Sequence, residues 1–272
     1  MKILNIKDKD LSIIIPYKNG HTLLYTTFIH LFKHLNIEFE MEGDVSKFLG
    51  NSYIFVRNPI DRFFSSYFFM EFVSKLGTGI FSKRVRHLVN SSNIYNINGY
   101  IKDYDNFINM CDDTHFIPQS SQILYINGEV LLKKEIINSE IDINLLYENK
   151  FEKNYKIFKI EDIDKIIKEN TLNLISKDIG FSDNFNSIAF DVDNKFDFLS
   201  DFPNEINFLF STFYFYFKNL YKMSAHHKNV NYVDKITLEE YKKVCKITNN
   251  EYNFFKYDEK IIDEKLFKKR LI

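Results

Sequence analysis

The residues best suited to chemistry lie in two short segments, PYKNGHT at 16–22 and FVRNPIDRFFSSY at 55–67. In the first, Lys18 brings a full positive charge next to Asn19 and Gly20, and Gly20 lets the backbone turn tightly and approach a ligand. A helix starting there would leave the amides of His21, Thr22 and Leu23 without intrahelical partners, aimed at whatever the turn holds. Its dipole would favour an anion, and Thr22 would add a hydroxyl. The order of residues is not that of a nucleotide-kinase loop, G-x-x-x-x-G-K-[ST], because the lysine precedes the single glycine. A Lys and a Gly also occur in strand-to-helix turns for structural reasons alone. In the second segment, Arg57 by charge-assisted hydrogen bonds and Ser65 by its hydroxyl can together grip a second phosphate. The structural alternative pairs Arg57 with Asp61 and lays Arg62 along a helix surface.

Both segments need elements to position them. Leu11 to Ile15, with three consecutive isoleucines, has the pattern of a buried strand, and it ends at Pro16. Leu24, Phe28, Leu31, Phe32 and Leu35 share one face of a predicted helix over 22–35. Ile37 to Met41 alternates apolar and acidic residues, as a strand would, with Glu38 and Glu40 on one face. Ser52 to Val56 is another buried strand, and Pro59 suits the first turn of a helix running to about Val73. The stretch from Lys75 to Tyr104 gives no clear order. Ile123–Ile126 and Tyr155–Ile160 are short strand-like runs, and Asp162–Asn170 and Thr237–Asn249 read as helices. Strands alternating with helices predict an α/β protein with a central parallel sheet flanked by helices, in which ligands sit at the carboxyl ends of the strands. Lys18 and Arg57 would then emerge on one edge.

The chain has 272 residues, which suits a single domain over 1–272, and 45% are hydrophobic, enough for a sizeable core. A net charge of −1 gives no basic face for nucleic acid, so any anion site must be local. Arginine occurs only at 57, 62, 84, 86 and 270. Cys111 and Cys245 are too few and too far apart for a disulfide framework or zinc site, and suit reduced thiols in a cytoplasmic protein. The N-terminal MKILNIKDKDLSIII is broken by Lys7, Asp8, Lys9 and Asp10, unlike a signal peptide. The apolar run Phe208–Phe217 is about half a bilayer span and reads as a core helix, so no transmembrane segment is expected. No metal ligand cluster stands out, since the adjacent His226 and His227 would not converge on one ion.

KNGHT at 18–22 followed by VRNPIDRFFSSY at 56–67 resembles the sulfotransferase family that uses 3′-phosphoadenosine 5′-phosphosulfate (PAPS), and looks most like its carbohydrate sulfotransferase branch, sulfotransferase family 2. The family loop has the form PK-T-G-G-T-S, and its second segment RDP-x-x-R-x-x-S-x-Y. Here Asn19, His21 and Leu23 replace the first Thr, the second Gly and the Ser, Asn58 replaces the Asp, and Tyr17 is an extra residue after Pro16. HFIPQ at 115–119, FKIEDI at 158–163 and the segment from Thr237 to Tyr257 are similar to further stretches of the branch, so the likeness covers most of the chain.

The resemblance implies a P-loop-like three-layer fold and metal-independent, in-line transfer of a sulfuryl group from PAPS to a hydroxyl of a carbohydrate or glycoconjugate, leaving adenosine 3′,5′-bisphosphate (PAP). Lys18, Asn19, Gly20, His21, Thr22 and Leu23 would hold the 5′-phosphosulfate, with Lys18 stabilising the charge that grows on the leaving phosphate. Arg57 and Ser65 would hold the 3′-phosphate. HHKN at 226–229 would form a loop over the nucleotide or a solvated loop. The acceptor needs a general base. In relatives a Glu or His after the first helix plays that part, which makes Glu40 and Glu42 the leading candidates and His115 their rival. Two other readings stand beside this one. The strand-loop-helix opening allows a P-loop kinase, and the substitutions in the first loop allow a non-catalytic nucleotide-binding or interaction module on the same fold.

Overall fold

The computed structural model describes residues 2–7, 10–34, 36–42, 51–76, 96–111, 113–123, 125–126, 129–130, 154–162 and 236–257. The expected helices at Phe208–Phe217 and beyond Asp162, and the segment at 226–229, lie outside these residues. The chain is a mixed α/β protein. Its strands are β1 (Lys2–Ile6), β2 (Leu11–Ile15), β3 (Glu40–Glu42), β4 (Asn51–Val56), β5 (Tyr125–Ile126), β6 (Glu129–Val130) and β7 (Asn154–Lys159). The helices are α1 (His21–His34), α2 (Pro59–Leu76), α3 (Ile97–Lys102), α4 (Tyr104–Met110), α5 (Gln119–Ile123) and α6 (Leu238–Phe254).

The five-stranded sheet has the order β3-β1-β2-β4-β7. Strands β2, β4 and β7 run parallel, as the alternating pattern predicts. The sheet as a whole is mixed, which corrects the expectation of a parallel one. β1 pairs antiparallel with both β2 and β3. The reason is local: the turn from Lys7 to Asp10 is too short for a crossover, so β1 and β2 must form a hairpin. Asp10 takes the left-handed conformation (φ 48°), and its amide donates to the Lys7 carbonyl at 3.0 Å. Lys7 and Asp10 thus close the hairpin, and Ile3, Leu4 and Ile6 before it are core residues. Inside the hairpin the opposed Asn5 and Ser12 satisfy each other, the Ser12 hydroxyl donating to Asn5 Oδ1 at 2.7 Å.

Alternation along the central strands divides the core. Ile13, Ile15, Tyr53 and Phe55 face α1, where they meet Leu24, Phe28, Leu31 and Phe32. Ile14, Ile54 and Val56 face the other way and pack with Ile123 of α5 and Phe255 after α6. A third cluster, rich in aromatic rings, joins α2, α3, α4 and α6 through Phe63, Phe64, Tyr100, Phe107 and Tyr241. The expected strand at 37–41 is shorter and later than its alternation suggests. Only Glu40–Glu42 pairs with β1, while Phe39 turns in to pack on Phe32 at 5.6 Å. The apolar run at 123–126 closes α5 before β5 begins, so its first residue is helical.

Helix α6 starts in a complete capping box. Thr237 Oγ1 accepts from the Glu240 amide at 3.2 Å, and Glu240 Oε2 accepts from the Thr237 amide at 2.7 Å. Thr237→Ala is expected to cost about 1 kcal/mol of stability, read as a lower urea midpoint at unchanged slope.

Candidate functional site

Parallel pairing brings the carboxyl ends of β2, β4 and β7 to one edge, where they deliver Lys18, Arg57 and Glu161. The first loop is strained into shape. Lys18 and Gly20 both adopt left-handed backbone, φ 70° and 65°. At Gly20 a Cβ would meet only Ile160 Cδ1 at 3.8 Å, so the dihedral rather than crowding demands glycine. The first hydrogen bond of α1 runs from the Leu24 amide to the Gly20 carbonyl at 2.9 Å. The amides of His21, Thr22 and Leu23 precede it and have no intrahelical partner. Thr22 is exposed, whereas the Leu23 side chain packs on the sheet, so Leu23 can offer an anion only its amide.

Gln119 joins the two loops. Its side-chain oxygen accepts from the Arg57 amide at 3.1 Å and from Asn19 Nδ2 at 2.7 Å, and its Nε2 donates to the Arg57 carbonyl at 2.8 Å. Asn19 Nδ2 also donates to the Phe55 carbonyl at 3.0 Å. Arg57 closes the link from its own side, Nη1 donating to the Lys18 carbonyl at 3.3 Å. The sequence marked Gln119 only as part of HFIPQ, because nothing local shows that its amide will pair with backbone 62 residues away.

Arg62 does not lie along the helix surface, where the structural alternative puts it. It is 2% exposed, and donates from Nε to the Tyr17 carbonyl at 3.2 Å and from Nη2 to the Ile117 carbonyl at 2.6 Å. Asn58 caps α2, with Oδ1 accepting from the Ile60 amide at 3.0 Å and from the Tyr252 hydroxyl at 2.9 Å. Its own amide donates to Glu161 Oε1 at 2.6 Å. Burial pushes the Glu161 carboxyl above its usual range, against the pull of that hydrogen bond. Ser65 lies half-buried on α2, and none of the contacts that join the loops uses it.

Lys18 extends over the Phe69 ring, 4.3 Å from its centroid. Among the described residues neither Lys18 nor Arg57 has a carboxylate within ion-pairing distance. Burial, then the charges of Arg57 and Arg62, push the Lys18 amine down to about 7, with Asp113 pulling the other way. Burial chiefly, with His115 and Lys18 next, holds His21 down at about 3. Its neutral ring accepts from the Lys18 amide at Nδ1 (3.4 Å) and meets the Thr22 hydroxyl at Nε2 (3.2 Å).

His115 comes to this edge as well. Its Nδ1 lies 2.7 Å from Asp113 Oδ1, which also accepts from the His115 amide at 2.9 Å. Burial works to raise the Asp113 carboxyl, but these hydrogen bonds and the nearby imidazole outweigh it and hold it low. With a proton on Nδ1 shared with Asp113, Nε2 keeps its lone pair. His115 also stacks on Phe69 at 4.8 Å, so that ring carries both the imidazole and the Lys18 amine.

Glu40 is not brought here, and Glu42 ends β3 at the level of Ile14 but across β1 from β2. Glu40 is exposed and bonded to Lys7 Nζ at 2.6 Å. Lys7 follows Ile6, which pairs with Leu11 at the amino end of β2, the end opposite Lys18. Glu42 also acts on the Lys7 amine. Cys111 and Cys245 are both buried. Among the described residues no helix is long and apolar enough to cross a membrane, and no three His, Cys, Asp or Glu side chains are grouped to hold a metal ion. Comparison with known proteins finds no matching family model, no matching curated protein and no matching solved structure.

Proposed function

We propose that this chain is a sulfotransferase, on a P-loop-like fold, that moves a sulfuryl group from PAPS to a hydroxyl of a carbohydrate. The observation that carries the reading is the junction of the two loops: Lys18 and Arg57, cations without carboxylate partners among the described residues, stand at the ends of adjacent parallel strands and are tied together by Gln119. The residues suit the donor. Lys18 and the amides of His21, Thr22 and Leu23 form an anion cradle, and Arg57 with Ser65 suits a second phosphate. PAPS supplies the activated sulfuryl group. Lys18 and the loop amides neutralise charge on the leaving side. His115, oriented by Asp113, takes the acceptor proton at Nε2. Its place beside Lys18 favours it over Glu40 and Glu42 as the base.

The test is calorimetric titration with PAP, with ADP and ATP as controls. Selective binding of the bisphosphate is expected, weakened at least about tenfold in Arg57→Ala, which loses a charge-assisted contact. Affinity should fall as pH rises through about 7, by at most about tenfold per unit. The sign follows from Lys18: below that pH the free protein already carries the charge, and above it binding must take up a proton. Lys18→Ala should flatten the dependence. Equal binding of ATP, or no binding, would overturn the assignment.

A further inference from the structure

The loop is one residue longer than the family pattern it resembles, and the added residue, Tyr17, lies against the imidazole of His115. The ring centroids are 4.4 Å apart at an interplanar angle of 35°. Phe69 lies against the same imidazole at 4.8 Å and 20°. One face of a five-membered ring is too small to carry two six-membered rings, one tilted by 35° and one stacked at 20°, at these distances, so the two occupy opposite faces. Tyr17 is itself held at both backbone ends. Its amide donates to Gln122 Oε1 at 2.8 Å, and its carbonyl accepts from the buried Arg62 at 3.2 Å. His21 closes on its edge at 4.6 Å and 76°. A planar slot still allows a 180° flip about the Cβ–Cγ bond, and the contact of Nδ1 with Asp113 selects one of the two orientations.

We propose that Tyr17 is a positioning residue for His115: with Phe69 it forms an aromatic slot that fixes the plane of the imidazole, while Asp113 fixes its tautomer, so that Nε2 is presented in one direction to an incoming hydroxyl. The role of His115 in transfer rests on the sulfotransferase reading; the slot does not. The aromatic ring of Tyr17, rather than its hydroxyl, does the positioning. The titratable groups facing His115 are Asp113 from its own segment, Tyr17 and Lys18 from the first loop and His21 from α1.

The test compares wild type, Tyr17→Phe and Tyr17→Leu as full chains. Long-range proton–nitrogen spectra of the imidazoles are recorded near pH 8, with the His115 signals identified by their loss in His115→Asn. Wild type and Tyr17→Phe are expected to show a single tautomer with the proton on Nδ1. Tyr17→Leu, which stays apolar but loses the flat ring, should let the imidazole tilt out of line with Asp113 and so move both nitrogens toward the averaged values of free imidazole. Its kcat should fall about 10–100-fold with bisphosphate affinity unchanged, a split that general loosening of the loop would not give. Phe69→Leu, acting from the other face, should produce the same spectral change. Unchanged His115 nitrogens in Tyr17→Leu would overturn the proposal, as would Tyr17→Phe behaving like Tyr17→Leu. If wild type binds no PAP, the sulfotransferase reading fails, and the spectra still decide whether Tyr17 holds the ring.

Discussion

Arg62→Met is expected to lower the free energy of unfolding by about 3–5 kcal/mol, because it leaves buried groups without the cation they are arranged around. The guanidinium satisfies the carbonyls of Tyr17 and Ile117. It also lines one small cavity with Glu251, which is 6% exposed. Glu251 accepts from the Ser120 amide at 2.7 Å and the Ser120 hydroxyl at 2.8 Å. Burial raises its carboxyl above the usual range, and Arg62 is the first of the influences that hold it down. Removing Arg62 should therefore raise it further. A carboxyl whose folded pKa exceeds its unfolded value contributes no penalty at low pH and a growing one as pH rises through the unfolded value. The deficit of Arg62→Met should thus be smallest near the ordinary glutamate range and grow toward neutrality. Urea unfolding at two pH values measures both features. Glu251→Gln, combined with Arg62→Met, should recover part of the loss. A deficit below about 1 kcal/mol, the size of a surface substitution, would contradict a buried cation here.

His115→Asn is expected to slow transfer by about 10²–10⁴-fold while leaving PAP affinity unchanged. Asparagine can still donate to Asp113 Oδ1 from its amide, so the loop keeps its internal hydrogen bond, and only the proton acceptor at Nε2 is lost. Single-turnover rates beside calorimetry separate the two quantities. Glu40→Gln breaks an exposed pair with Lys7 at the far end of the sheet and should leave turnover unchanged. The reverse pattern, a silent His115→Asn and a slow Glu40→Gln, would return the base to the acidic strand.

The braces behind these two side chains explain why the site was only partly legible in the sequence. Tyr252 holds the cap of α2, Tyr257 donates to Glu161 Oε2 at 3.1 Å, and Glu251 holds Ser120 beside Gln119. All three follow from where α6 packs, and a Tyr/Phe-rich tail does not announce which hydroxyl reaches which loop.

What the sequence by itself determined is what neighbours along the chain decide. Three isoleucines and a proline mark β2, helical spacing marks α1, and Pro59 marks the start of α2, each within a residue or two of its observed bounds. Lys18, Gly20 and Arg57 were legible for the same reason: charge, backbone freedom and position after a strand are local properties. Only the tertiary structure decided that β1 pairs antiparallel, that Arg62 lies inside, that Gln119 clamps two loops and that His115 sits between Tyr17 and Phe69. It also separated Glu40 from Lys18, because β1 lies between β3 and β2 and the pair with Lys7 holds Glu40 toward the amino end of β2. These outcomes depend on burial and on hydrogen bonds spanning up to 194 residues, as between Tyr252 and Asn58. No window of sequence carries that information, since a polar side chain is paid for by partners that the chain folds into place from elsewhere.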